Sequence, residues 1–396
     1  MAVVPQPEPT PSTPPSRASL VVIYLTVFLD LMGFGILLPL MPYYAIHFGA
    51  KGLGLGTMFA AFSVAQLVGA PLLGRLSDRL GRKPVLLASL LGSALAYVAT
   101  GLSDSLLTLM AARALAGLFA GSIATAQAYV ADVTTPQERA KYMGLIGASI
   151  GMGFVIGPWI GAELSRFGFG TAAFFAGGLS LFNGLFGLVA LREPPRSSRH
   201  RLPMTMQRLR EMFSSPVVGR LLISSFFLTF AFVAMEATFA LLGQRKFDLK
   251  SAQLGRIFGA LGVVIVVVQG GLVGRLVQRF GELRLALLGS GLLAVLLGSL
   301  PWMPTLPLTV VAILGVAAGQ GLLIPSLSSL LSRASGAHEQ GVVMGLGQSF
   351  GALARAMGPV IAGWLFDRDV HLPYAMSGAL MLLLIGMLMS LMPRLR

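Results

Sequence analysis

The sequence predicts an all-α integral membrane protein with twelve transmembrane helices in two pseudo-symmetric six-helix bundles. Three observations predict it. The 396 residues are 55% hydrophobic and only 11% charged, where a soluble protein carries about 25% charged residues, and the mean hydropathy is +0.80. Twelve apolar runs approach or exceed the roughly 20 residues that a spanning helix needs. A polar stretch between the second and third runs, Gly74-Arg75-Leu76-Ser77-Asp78-Arg79-Leu80-Gly81-Arg82-Lys83, recurs in part 200 positions later as Gly274-Arg275-Leu276-Val277-Gln278-Arg279-Phe280-Gly281-Glu282.

The runs fall at 19–43, 54–76, 84–102, 105–131, 141–165, 171–191, 218–243, 253–277, 283–300, 305–332, 341–366 and 372–393. They are long, continuous and rich in Leu, Ala and Gly, so they read as helices rather than strands. Residues 1–18 are Pro-rich and polar and read as a disordered tail. The first apolar run is too long for the core of a cleavable signal peptide. Residues 19–191 form the first bundle, 192–217 a linker and 218–396 the second bundle. The linker holds Pro194-Pro195, a basic patch and a stretch at 206–213 suited to a short helix on the membrane surface. It reads as a tether between the bundles, with a regulatory role as the alternative.

An even number of spans puts both termini on one side. That side carries 20 of the Lys and Arg residues, and the other carries seven: Lys51, Arg166, Arg245, Lys246, Lys250, Arg256 and Arg368. The bias makes the terminal side cytoplasmic. It also explains the net charge of +14 without nucleic acid as a partner. The absence of cysteine excludes disulfides and thiolate–metal chemistry. The four histidines fall in expected loops, which argues against a buried metal site, and no cofactor is expected.

The repeat extends beyond the loop. Glu138, Met143-Gly144-Leu145 and Gly157-Pro158 recur as Glu339, Met344-Gly345-Leu346 and Gly358-Pro359, at an offset of 201. Two parallel six-helix halves with sites at their interface are a transporter architecture.

Four charges lie deep inside spans, away from their ends. Asp30 stands about 16 Å into the first and Arg113 lies in the fourth; Glu236 and Arg355 stand about 27 Å and 21 Å from the terminal side in the seventh and eleventh. Such groups are costly in lipid and should face water or a partner. Asp30 either changes protonation or is a structural partner. Glu236 and Arg355 either form a static clamp, or Glu236 titrates in a substrate cavity. Phe34, Gln66, Gln127, Phe239, Gln269, Gln320 and Gln348 are candidate linings of that cavity, with Glu236 and Arg355. Gly117 and Gly121 let a neighbouring helix approach, as do Gly153, Gly157 and Gly161, and Pro158 favours a kink.

The loop Gly-x-x-x-Asp-Arg-x-Gly-Arg-Lys at 74–83, repeated in the second half, resembles the signature loop of the major facilitator superfamily. The stretch at 29–42 resembles the first helix of its drug:proton antiporter branch, tetracycline exporters in particular. Arg113-x-x-x-Gly117 resembles the fourth helix, and Gly153-x-x-x-Gly157-Pro158-x-x-Gly161 the motif that separates antiporters from symporters. The resemblance implies a proton-coupled antiporter that exports small amphipathic molecules by alternating access, a monomer in a bacterial inner membrane, with small-molecule substrate, protons and lipid as partners. It implies proton-coupling roles for Asp30 and Arg113, to which the depth of Glu236 adds that residue as a third candidate; the alternative for Arg113 is a fixed ion pair joining spans 4 and 1. A symporter or uniporter for a nutrient, or a sensor without transport, are the other readings. Ala96 stands before Tyr97 where tetracycline exporters carry an acid, which speaks against tetracycline itself.

The resemblance also implies a conformational latch of Gly74, Asp78, Arg79, Gly81, Arg82 and Asp132. In it Arg82 pairs with Asp132, and Asp78 caps the eleventh span near Gly341-Val342. Carried to the second half, Arg82 falls on Glu282 and Asp132 on Arg333. Both charges reverse, so Glu282 and Arg333 are expected to form a charge-swapped second tether, while Gln278 replaces Asp78.

Overall fold

The computed structural model of the chain describes residues 17–134, 136–194, 215–335 and 340–392. Among them are twelve spans: 1 (Ser19–His47), 2 (Gly52–Leu80), 3 (Arg82–Gly101), 4 (Leu106–Val133), 5 (Lys141–Phe167), 6 (Phe169–Ala190), 7 (Pro216–Phe247), 8 (Ser251–Phe280), 9 (Glu282–Trp302), 10 (Leu306–Ala334), 11 (Val342–Arg368) and 12 (Leu372–Met389). Helix begins at Arg17, two residues inside the expected tail. The rest of that tail, and the stretch at 206–213, lie outside the described residues.

Glycine fixes the corner after spans 2 and 8. Gly81 and Gly281 have φ of +110° and +79°, a region that side chains with a Cβ avoid. Each donates its N–H back into the ending helix, to Ser77 and Val277 respectively. The repeated glycine therefore marks a repeated stop.

The same neighbours pack in both halves. Span 1 lies on 5 and 6, span 2 on 4, and span 3 on 4 and 6; span 7 lies on 11 and 12, span 8 on 10, and span 9 on 10 and 12. The halves meet through spans 2 and 11 and through spans 5 and 8, two contacts that the pseudo-symmetry interchanges.

That contact is close at one end only. At the face away from the termini, the far face, a Cβ on Gly52 would lie 2.9 Å from Asp367 Oδ1, and one on Gly56 would overlap the Pro359 carbonyl. Across the other pair, a Cβ on Gly255 would lie 2.7 Å from Ala162 Cβ and one on Gly262 3.0 Å from the Phe154 carbonyl oxygen. Toward the terminal face, a Cβ on Gly74, Gly144, Gly147, Gly274 or Gly345 would meet nothing within 4 Å. The halves are thus packed at the far face and part toward the terminal face.

The symmetry breaks once inside span 8. Leu55-Gly56 and Phe59 match Leu254-Gly255 and Phe258 at an offset of 199, whereas Gly74 matches Gly274 at 200. One residue has been added between them, and Val268–Leu272 forms a single π-helical turn. Such turns hold a surplus residue without ending the helix. Span 2 carries Pro71 at the same level.

A side chain at Gly56 should wedge the far face open. Overpacking costs about 1–3 kcal/mol, so Gly56→Val should raise the labelling rate of Ala50→Cys, 8% exposed here, roughly tenfold. The chain has no cysteine of its own, so an unchanged rate would count directly against the packing described.

Candidate functional site

Asp30 is partly buried and accepts a hydrogen bond from the Ser122 hydroxyl. The geometry follows from register. Asp30 is eleven residues from the terminal end of span 1 and Ser122 eleven from that of span 4, both about 16 Å deep. Span 4 is broken at Ala120-Gly121, and Ser122 opens its second segment. Beyond Asp30, Leu31–Ile36 packs on the glycine face of span 5. A Cβ on Gly153 would lie 2.8 Å from Leu31 Cβ, and one on Gly157 2.6 Å from the Met32 carbonyl oxygen; one on Gly161 would overlap the Ile36 carbonyl. Pro158 lies within the continuous helix Pro136–Leu164 and packs near Gly35.

Arg113 does not pair with Asp30, which removes the fixed ion pair between spans 4 and 1. It lies nine residues beyond Ser122 along span 4, about 14 Å toward the far face. There it is 6% exposed, with Nη1 3.9 Å from Met41 Sδ and the guanidinium 5.0 Å from the Phe62 ring centroid. No carboxylate among the described residues is within ion-pair distance of it. Phe62 also meets Phe34, which touches Phe154 of span 5. Tyr97, which the sequence reading left without a role, packs against Gly33 and lies within electrostatic reach of both Asp30 and Arg113.

The static clamp in the second half is likewise absent. Glu236 and Arg355 make no ion pair, although each senses the other's charge. The Arg355 head turns away. A Cβ on Gly351 would lie 3.4 Å from Arg355 Nη1 and 3.7 Å from Thr229 Oγ1, so the guanidinium lies back along its own helix over Gly351, on the side that faces Thr229, seven residues short of Glu236 along span 7. Both charged residues are partly exposed.

The expected lining residues divide. Gln127, Gln269 and Gln348 are exposed, and Gln66 and Phe34 partly so. Gln269 sits in the π-turn. Gln320 is buried, and Phe239 is 1% exposed, its ring edge-on to Phe258. Phe239 belongs to the packed far-face core and does not line the opening, a correction that follows from the close approach of the halves there. Among the described residues no three of His, Asp and Glu converge as a metal site. His47 ends a helix instead of lying in a loop.

At the terminal face Arg82 joins three elements. Its Nε is 2.7 Å from Asp132 Oδ2 and its Nη1 2.7 Å from Asp78 Oδ1. Glu193, missed in the sequence, accepts the backbone N–H groups of Arg82 and Lys83 at 2.6 and 2.8 Å. It thereby caps span 3, as an anion at a helix N-terminus does. Arg79 is exposed, as Asp78 is. The implied Asp78 cap on span 11 adjoins residues 336–339 and lies outside the described residues. In the second half Arg333 Nη1 donates to both Glu282 oxygens at 3.0 and 3.1 Å, and Ser329 donates to Oε1 at 3.1 Å.

At the far face polar groups bridge the halves. Asp367, near the end of span 11, accepts the N–H groups of Gly52 and Leu53 at 2.7 and 2.8 Å. It caps span 2, which its own N-cap residue Lys51 leaves without a side-chain bond. Tyr43 donates to the Leu249 carbonyl at 2.7 Å, and Arg256 pairs with Glu163 at 2.9 Å.

A profile of the Major Facilitator Superfamily matches residues 23–359. The chain belongs to the Major Facilitator Superfamily. Like the superfamily proteins it resembles, it is a transporter and not an enzyme. It is 31% identical over 379 residues to Multidrug resistance protein 2 of Bacillus subtilis (strain 168), covering 93% of this chain and 94% of that one. It is 29% identical over 358 residues to Tetracycline resistance protein, class C, of Escherichia coli, covering 87% and 89%. Among solved superfamily structures, the human organic anion transporter MFSD10 (TETRAN) superposes with a TM-score of 0.72 at 27% identity, over 95% of this chain and 100% of that one.

Two outcomes test these contacts. Asp367→Asn leaves an oxygen for one N–H where the carboxylate serves two. Hydrogen bonds to a charged group are worth about 1.5–3 kcal/mol, so the far-face-open population should rise roughly tenfold or more. Distances between spin labels on spans 2 and 11 would report it. For the tether, an exposed pair is worth about 0–1 kcal/mol. Glu282→Arg or Arg333→Glu alone should slow transport with little loss of thermal stability, and the double reversal should restore it; additive losses would show that the two residues act separately.

Proposed function

We propose that the protein is a proton-driven exporter of small amphipathic molecules that works by alternating access in a bacterial inner membrane, with both termini in the cytoplasm. The observation that carries the reading is Asp30. It is a carboxylate at mid-membrane depth with a hydroxyl as its hydrogen-bond partner and, among the described residues, no cation paired to it, on the helix that the span 5 glycines grip. A carboxylic acid there exchanges a proton at small cost, whereas an ion-paired one would be locked in its charged form. The membrane potential contributes about 2.3 kcal/mol per charge for each 100 mV.

The gating follows from the two faces. With the far face closed by Asp367, Tyr43 and Glu163–Arg256, substrate enters from the terminal side, which the 20-to-7 distribution of Lys and Arg makes cytoplasmic. Closing that side brings the Asp78–Arg82–Asp132 corner toward the start of span 11 while the far-face contacts open. Export accords with the multidrug and tetracycline resistance proteins among the relatives.

Asp30→Asn should abolish proton-driven uptake of a fluorescent amphiphile into inverted vesicles, a loss of at least tenfold against wild type, while equilibrium binding persists. Full driven transport by the Asn variant would sink the proposal.

A further inference from the structure

The far half of span 7 is packed on all sides but one. From Ala231 to Gly243 every residue is buried except Phe232 and Glu236. With Ser225 and Thr229, also partly exposed, these two follow at steps of four, three and four, which is one face of a helix. A face bearing Ser, Thr and Glu within an otherwise packed span looks into the interior of the molecule, because lipid would not tolerate the carboxylate. Arg355 Nη1 and Thr229 Oγ1 both lie within 4 Å of the place that a Cβ on Gly351 would take, so the guanidinium is directed toward the lower part of that face. On span 11 Gln348 stands two turns from Arg355 toward the terminal face and is exposed.

The same strip thus carries an anion and a cation with no ion pair between them and, among the described residues, no other ion-pair partner for either. Along span 7, Thr229 and Glu236 are seven residues apart, about 10 Å. Two opposite charges at this depth would gain by closing on each other if they served only to neutralise one another, since an unpaired buried ion costs several kcal/mol. Held apart and open to the vestibule, they match a molecule that brings both complements.

We propose that Glu236 and Arg355 form an amphoteric recognition site. The Glu236 carboxylate takes a substrate's cationic centre and the Arg355 guanidinium its anionic group, with Phe232 against the apolar body. The substrates so selected are zwitterionic amphiphiles, not lipophilic cations alone. This rests on the reading of the protein as an exporter of amphipathic molecules and adds the charge pattern that it selects.

Equilibrium binding tests it without any proton gradient, so failure of recognition stays separate from failure of coupling, which only driven uptake reads. The probes are rhodamine B, which carries a carboxylate and a delocalised cation, and its ethyl ester, which keeps the cation and loses the acid. Binding to the purified full-length protein is followed by fluorescence anisotropy at neutral pH. Wild type should bind rhodamine B about tenfold more tightly than the ester, the scale of one charge-assisted hydrogen bond. Arg355→Gln should remove that preference by weakening rhodamine B alone, Arg355→Lys should keep most of it, and Glu236→Gln should weaken both probes. Equal binding of the two probes by wild type overturns the proposal, and so does an unchanged preference in Arg355→Gln. Should Arg355→Gln fail to elute as a monodisperse species, the wild-type ratio and Arg355→Lys decide: the proposal falls unless both favour rhodamine B.

Discussion

A charge at mid-membrane depth has to be given a partner or water, and four residues of this chain impose that demand. Asp30 meets it with a hydroxyl, and Arg113 with a sulfur atom and the face of an aromatic ring. Glu236 and Arg355 meet it through an opening in the interior. Each solution fixes a piece of architecture. The break in span 4 delivers Ser122, the Phe62–Phe34–Phe154 chain of rings ties spans 1, 2 and 5 around Arg113, and the parting of the halves keeps the second-half pair wet. Apolar packing alone would allow many bundles; supplying partners to these four groups at their depths allows few.

The two faces are held by different chemistry. At the far face, backbones approach closely because glycine lies opposite glycine or proline, and the polar contacts there run from one half to the other. At the terminal face the ion pairs among the described residues stay within a half: Arg82 with Asp78 and Asp132, and Arg333 with Glu282. These pairs brace corners without joining the halves. A rocking motion can therefore use these corners as rigid pieces while the far-face bonds break.

Much of this was legible in the sequence. The spans follow from long apolar runs, and the corners follow from an internal repeat whose glycines need positive φ. The Glu282–Arg333 contact could be read from the offset because complementary charge survives a reversal of both signs. Contacts between residues far apart in sequence and unrelated by the repeat left no such trace. Ser122 reaches Asp30 through a helix break that periodicity does not reveal. Asp367 resembles any acid at a span end until the opposite helix N-terminus is seen beneath it. Depth counting set Glu236 and Arg355 near each other because it measures Cα positions, whereas the long Arg355 side chain runs back toward Thr229. Phe239, three residues beyond Glu236, read as a cavity lining, yet it lies where the halves close.

The surplus residue in span 8 has a consequence for how the chain tolerates length changes. Above the π-turn, Gly255 and Gly262 are locked against Pro158, Ala162 and Phe154 of span 5; below it, Gly281 sets the corner into span 9. A residue removed from the upper segment would swing its glycines about 100° off the partner helix. Removed from Val268–Leu272, it would let that turn relax to an ordinary α-helical one and restore the spacing that span 2 has. The bulge is thus the one place in span 8 where a deletion can be absorbed, and the second half can return there to the length of the first.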